Sequence, residues 1–229
     1  MRSILLFCLF VIFSISLTAQ KDVRQLKSFN AVHVSGGIQV ELRKGNPQAE
    51  IEMKKGDIED LVVEVKGDRL KIYFKDKKMW GNNNRSANII LSYDEAIENI
   101  DVSAGSSIEC KNVINSSSLK IEASSGARAE VMVDTKNIDV NVSSGASVSA
   151  EGETKFLDVD ASSGASFRGN DLKAEEVDAE ASSGASVKVW ATQSIEAGAS
   201  SGGSVKYKGD PSKTNIDVGK WSGGSVNKL

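Results

Sequence analysis

Apolar and polar residues alternate along most of this chain, and in its second part the alternation returns in near-identical copies. The copies centre on VSAGSSI (102–108), ASSGARA (123–129), VSSGASV (142–148), ASSGASF (161–167), ASSGASV (181–187), ASSGGSV (199–205) and KWSGGSV (220–226). Their glycines stand at 105, 126, 145, 164, 184, 202 and 223, so successive spacings are 21, 19, 19, 20, 18 and 21. An earlier segment, VSGGIQV (34–40), puts Gly37 in the same column. The residues seven, five and three before a glycine are mostly apolar, as in Ile138, Val140 and Val142 or Leu157, Val159 and Ala161, with polar residues between them. That period of two belongs to a strand.

Strands repeating about every 20 residues predict an all-β fold, a parallel β-helix or solenoid with rungs of about 20 residues. Equivalent side chains then stack roughly 4.8 Å apart in neighbouring rungs. Helical repeats and coiled coils are excluded by the period, and the leucine–asparagine pattern of a leucine-rich repeat is absent. Each Ser-Ser-Gly-Ala segment reads as a corner. Glycine accepts a positive φ there, and the small residue after it (Ala146, Ala165, Ala185) faces the cramped inside of the bend. The corner serines are expected to hydrogen-bond the backbone or one another. They lack a positioned base, so they are structural and not nucleophiles.

Two outward columns are acidic. Six residues before the glycines come Asn99, Lys120, Asp139, Asp158, Asp178, Glu196 and Asp217; four before come Asp101, Glu122, Asn141, Asp160 and Glu180. Stacked carboxylates repel, so the columns are read as a solvated face that binds divalent cations at most weakly.

Residues 20–98 are different material. FNAVHVSGGIQVEL (29–42), AEIEMKK (49–55), LVVEVKGDRLKIYFK (61–75) and ANIILSY (87–93) are strand-like, with a hairpin tip at Lys66-Gly67-Asp68-Arg69 and a short helical turn near Asp57 to Leu61. This part is expected to cover the first rung, which would otherwise expose a sheet edge. Trp80, beside Gly81-Asn82-Asn83-Asn84, is either a packed anchor or a contact residue. The organisation predicted is thus a leader at 1–19, a β-rich region at 20–98 and the β-helix repeats at 99–229.

The leader rests on Arg2, an apolar run of about fourteen residues from Ile4 to Leu17, and the small-residue signal Leu17-Thr18-Ala19, with cleavage after Ala19. Cys110 is then the cysteine that remains, no disulfide forms, and no integral membrane segment is left. A net charge of −3 and the lack of any strongly basic stretch give no footprint for nucleic acid. One histidine, His33, and two cysteines leave no zinc cluster and no histidine-based triad. His33 lies an even four residues before Gly37 and is expected at the surface.

FNAVHVSGGIQVEL and GDRLKIYFK, followed by IDVSAGSSI and the SSGAS repeats, resemble the head GIN-domain family of exported bacterial proteins, described as auto-transporter adhesin heads. The name-giving segment is Gly37, Ile38 and Gln39 here, with Gln where the motif has Asn. The resemblance spans roughly residues 27–228 and implies a β-helical exported protein with no catalytic residues to carry over. No catalytic, cofactor or metal residue is assigned. The expectation is an exported, noncatalytic, adhesin-like binding module of the cell envelope, in the periplasm, on the surface or secreted, meeting a cell-surface glycan or an envelope protein. The alternative is a polysaccharide-active β-helix enzyme, a lyase or hydrolase. It would need a unique carboxylate pair and sugar-stacking aromatics, and Trp190 and Trp221 make no dense platform.

Overall fold

A computed structural model of the chain describes residues 21–75, 85–219 and 223–229. In chain order the strands are β1 (Lys21–Gln25), β2 (Ala31–Ser35), β3 (Ile38–Lys44), β4 (Gln48–Lys55), β5 (Leu61–Lys66), β6 (Arg69–Phe74), β7 (Ser86–Tyr93), β8 (Asn99–Ser103) and β9 (Ser107–Cys110). There follow β10 (Ile114–Ala123), β11 (Arg128–Val142), β12 (Ser147–Ala161), β13 (Ser166–Ala181), β14 (Ser186–Ala199), β15 (Ser204–Lys208), β16 (Lys213–Val218) and β17 (Ser225–Lys228). They form a β-solenoid of about 7 turns with about 19 residues per rung. One 3-10 turn, Ile58–Asp60, stands where the short helical turn is predicted.

The alternation sets the register. Leu119, Ile138, Leu157, Val177 and Ile195 stack in one inward column, and Ile121, Val140, Val159, Ala179 and Ala197 in the next. All ten are buried in a single hydrophobic core that runs from Phe29 to Tyr207. A one-residue slip between rungs would turn every one of these side chains to solvent, at about 1.5–3 kcal/mol for each large one, so the register is strongly specified.

The corners hold a finding that the glycine column only half announces. The residue before each glycine is left-handed as well: Ala104, Ser125, Ser144, Ser163, Ser183 and Ser201 have φ between 48° and 53°, and Gly105 to Gly202 in that column have φ between 69° and 77°. Each pair forms the centre of a tight turn closed by a backbone bond, such as Ala146 N–H to the Ser143 carbonyl at 3.0 Å. Two consecutive left-handed residues are the signature of a type I′ turn. Successive corners are tied through the backbone: Gly126 N–H donates to the Ser144 carbonyl at 3.0 Å, and Gly145 N–H to that of Ser163 at 3.1 Å. The corner is therefore satisfied mainly by peptide groups, and the serine hydroxyls are not required for it. Ser106 is an exception, its buried Oγ accepting from the N–H groups of Gly37 and Ile38.

Between the corners a second bend falls where the alternation skips a beat. In β11, buried Thr135 is followed by Lys136 and Asn137, neither buried, before Ile138 resumes the inward set. Thr154 covers the same bend one rung on, its hydroxyl reaching the Lys136 and Phe156 carbonyls at 3.3 and 3.2 Å.

The order of rungs in space differs from their order in the chain. β2 and β3, with the Gly36-Gly37 corner, lie parallel to β8 and β9. On their other side lie β6 and β7, also parallel, so a rung that comes later in the chain sits below an earlier one. β5 then pairs antiparallel with β6, and β4 with β7, with β1 outside β4. These antiparallel strands cover that end, as an open parallel edge requires. At the other end, Ile216 and Val218 of β16 are 44% and 36% exposed.

Candidate functional site

Chemistry on a solenoid is carried by its outward columns, and the register places them. Lys120, Asp139, Asp158, Asp178 and Glu196 stack in sequence, as do Asp101, Glu122, Asn141, Asp160 and Glu180 beside them. One position changes column. Asn215, not Asp217, lies on Glu196, and Asp217 lies on Gly198 in the second column. The last spacing of 21 places its extra residues between β16 and Gly223, so counting back six from that glycine falls two residues short.

The commonest ion pair among the described residues joins a cation and a carboxylate two residues apart, where alternation puts neighbours on one face. Arg24 pairs with Asp22, Arg43 with Glu41, Lys54 with Glu52, Lys66 with Glu64, Lys111 with Glu109, Lys120 with Glu122 and Arg128 with Glu130. The rule fails on two stripes in the later rungs. The first is acidic: Asp158 has Asp160 two residues on, and Asp178 has Glu180. Partial burial, and then the carboxylates of Asp178, Asp160 and Asp139, raise the Asp158 carboxyl above its ordinary value. Burial followed by Glu196 and Asp160 raises Asp178 likewise. Where the stripe fades, amides take over, with Asn141 Nδ2 donating to Asp139 at 2.7 Å and Asn215 Nδ2 to Glu196 at 3.2 Å. Toward the corner the second column borders an open groove of about 590 Å³ that Ser162 and Ser182 also line.

The second stripe is basic and lies beyond the corner. Arg168, Lys188 and Lys206 each stand four residues after a corner glycine and stack in register. Their neighbours along the strands are Ser166 and Asn170, Ser186 and Trp190, Ser204 and Lys208, with no carboxylate among them. Among the described residues none of the three has an ion-pair partner within 4.0 Å, whereas the flanking Lys208 reaches Asp171 at 3.8 Å and Lys173 reaches Glu153 at 3.9 Å. The Lys208 ammonium also lies 4.2 Å from the Trp190 ring centroid. No run of the sequence is basic here, since the three residues come from separate segments; their shared offset from glycine is the signal in the sequence that marks the stripe.

His33 lies on the outward face of β2, as its even offset predicts, and is half-buried there. It stacks on Asp101 of the next rung, and its Nδ1 lies 2.7 Å from the Asp101 carboxylate in a half-buried pair. A carboxylate only accepts, so Nδ1–H donates. Cys110 is buried, and burial with the nearby Glu109 charge pushes its thiol up to about 12. No group of three or more His, Cys, Asp or Glu among the described residues is arranged to hold a metal ion. No helix among them is long and apolar enough to cross a membrane. The leader, Trp80 with residues 81–84, and Trp221 lie outside the described residues.

The fold and its charged ladders define a parallel β-solenoid with repeating outward chemistry. Residues 28–211 match the family described as "Putative auto-transporter adhesin, head GIN domain", and the chain belongs to that family. Among solved structures it is similar to a putative adhesin from Bacteroides fragilis NCTC 9343, at 18% identity and a TM-score of 0.80, over 93% of this chain and 98% of that one. A putative adhesin from Parabacteroides merdae ATCC 43184 is 16% identical with a TM-score of 0.71, over 92% and 96% of the two chains. A putative lipid binding protein from Parabacteroides distasonis ATCC 8503 is 19% identical with a TM-score of 0.64, over the same shares. At these identities the likeness is one of fold. No curated protein matches the chain.

Proposed function

We propose that the chain is an exported, noncatalytic, adhesin-like binding module of the bacterial cell envelope. The observation that carries this reading is repetition of outward chemistry at rung spacing. Charged and hydroxyl groups recur along Asp139, Asp158 and Asp178 and along Ser166, Ser186 and Ser204. Such rows offer several near-equivalent contacts to a repeating partner, where summed weak contacts give affinity. Catalysis asks for the opposite arrangement, one point at which a nucleophile, a base and a charge-stabilising group converge. The family description and the names of the similar structures support an adhesin-like role. The test is a glycan array and an envelope-protein pull-down with residues 20–229. Specific capture of a glycan or envelope protein is expected, and a hydrolytic or lyase activity on any arrayed glycan would overturn the reading. Export by the leader is checked by mass spectrometry of the secreted chain, with Gln20 expected at its N-terminus; a chain that still carries residues 1–19 would refute it.

A further inference from the structure

We propose that the basic stripe of Arg168, Lys188 and Lys206 is a binding site for an anionic polysaccharide, one that bears a carboxylate on successive sugar residues. The proposal rests on the binding role above and names a ligand class for one face.

The first ground is the break in charge compensation. Like charges directly opposite on neighbouring strands are destabilising, and in the earlier rungs of this same column the charges are relieved two residues along the chain. At Arg168, Lys188 and Lys206 the relieving positions hold serine, Asn170, Trp190 and Lys208 instead. In the same column, Glu109 and Glu130 of earlier rungs are paired with Lys111 and Arg128. In this column the unpaired cations thus occupy three adjacent rungs, and Asp171, which a bulge brings level with Glu151 beside them, lies 3.8 Å from Lys208.

The second ground is the company these cations keep. Each has a corner serine two residues before it, so Ser166, Ser186 and Ser204 form a parallel row of hydroxyls. The serines are half-buried, and the corner is closed by peptide groups and not by their hydroxyls, although Ser204 Oγ accepts from Ser225 Oγ at 3.2 Å. On the far side of the stripe lies Trp190, half-buried on the same face of β14 as Lys188. A row of hydroxyls, a row of cations and an indole together match a sugar chain: its hydroxyls, its carboxylates and the apolar face of a ring.

The third ground is shape. The cations stand in single file about 4.8 Å apart, which suits one charged chain laid along the solenoid axis. A nucleic-acid duplex presents two phosphate strands, and Asp171 and Asp210 beside the stripe oppose the second.

The test is calorimetric titration of residues 20–229 with polygalacturonate at low and high ionic strength. Neutral dextran and duplex DNA serve as comparison ligands. Binding to polygalacturonate that weakens with salt is expected, with no binding to dextran. The variant Arg168→Ser, Lys188→Ser, Lys206→Ser copies the serine that Ser149 already supplies in this column, and should bind at least about tenfold more weakly. A control with the same loss of charge, Lys27→Ser, Lys44→Ser, Lys55→Ser, should bind like the parent. Should the triple variant unfold, Lys188→Gln alone should still weaken binding and Trp190→Ala should do so at unchanged salt dependence. Failure of polygalacturonate to bind, equal losses in stripe and control variants, or tighter binding to DNA would each overturn the proposal. Capture of neutral glycans alone would remove the ligand class and leave the binding role standing.

Discussion

The corner residues separate two effects that usually travel together. Gly164 has φ of 71°, and a Cβ built on it would meet nothing within 4 Å. Gly164→Ala should therefore cost about 1 kcal/mol from backbone strain alone, with no overpacking, read as a lower urea midpoint at constant slope. Ser163, already left-handed at φ of 53°, shows that the turn tolerates an L-residue there. A β-branched residue is worse placed, so Ser163→Val should cost about 1–2 kcal/mol. Cys110 gives a second check at this scale. Its thiol is held near 12 by burial, so almost no thiolate forms at neutral pH. Alkylation of Cys110 should be undetectable in the native protein and complete in denaturant; rapid native labelling would contradict the buried placement.

The rung is the unit at the next scale, and its inward column is the part most open to challenge. Ala165 is 1% exposed and stands two residues from fully buried Phe167. Replacing Ala165 with Phe forces a second ring into the same bend and should cost about 1–3 kcal/mol. An unchanged denaturation midpoint would show that the bend has room. The strands between residues 29 and 93 were legible from their alternation, and so were the hairpin at Gly67-Asp68 and the turn near Ile58; β1, whose five residues include a single apolar one, Val23, was not. What alternation did not convey is that β6 and β7 stack beneath β2 and β3, because a strand's pattern marks its buried face and not its neighbour. The displaced position of Asp217 has a similar origin: spacing shows that residues are inserted, and only the register shows on which side of the strand they fall.

At the scale of the whole molecule, the acidic stripe is where like charges accumulate, and it should respond to pH and to cations. Asp158 has its carboxyl raised by partial burial and by neighbouring carboxylates. A group that holds its proton more tightly when folded adds stability as pH falls through its folded value, and the gain is complete below the ordinary unfolded one. Asp158→Asn should accordingly be more stable than the parent at pH 7, by about 0.2–1 kcal/mol. The margin should shrink with added salt and vanish on acidification. Thermal unfolding across pH checks the sign, and a variant less stable at pH 7 would contradict it. Calcium should relieve the same repulsion only weakly. Carboxylates along a strand face do not converge as the six to eight oxygens of a tight calcium site do. Calorimetry should show no micromolar stoichiometric site; one that is lost in Asp158→Asn would refute the solvated-face reading.

The sequence by itself determined the all-β class, the rung length, the inward columns and the glycine corner, since each follows from a local period or from a backbone conformation few residues accept. It also placed Asp139, Asp158 and Asp178 in one column, because spacing and register agree where rungs are regular. Tertiary structure decided what depends on which strand lies beside which. It paired His33 with Asp101 across 68 residues, ordered the rungs against the chain, and satisfied the corners through peptide groups of the next rung. It also assembled Arg168, Lys188 and Lys206 into one stripe from three segments, none of them basic as a run. Local periodicity fixes the direction a side chain faces, while stacking alone fixes the charge that comes to lie about 5 Å away.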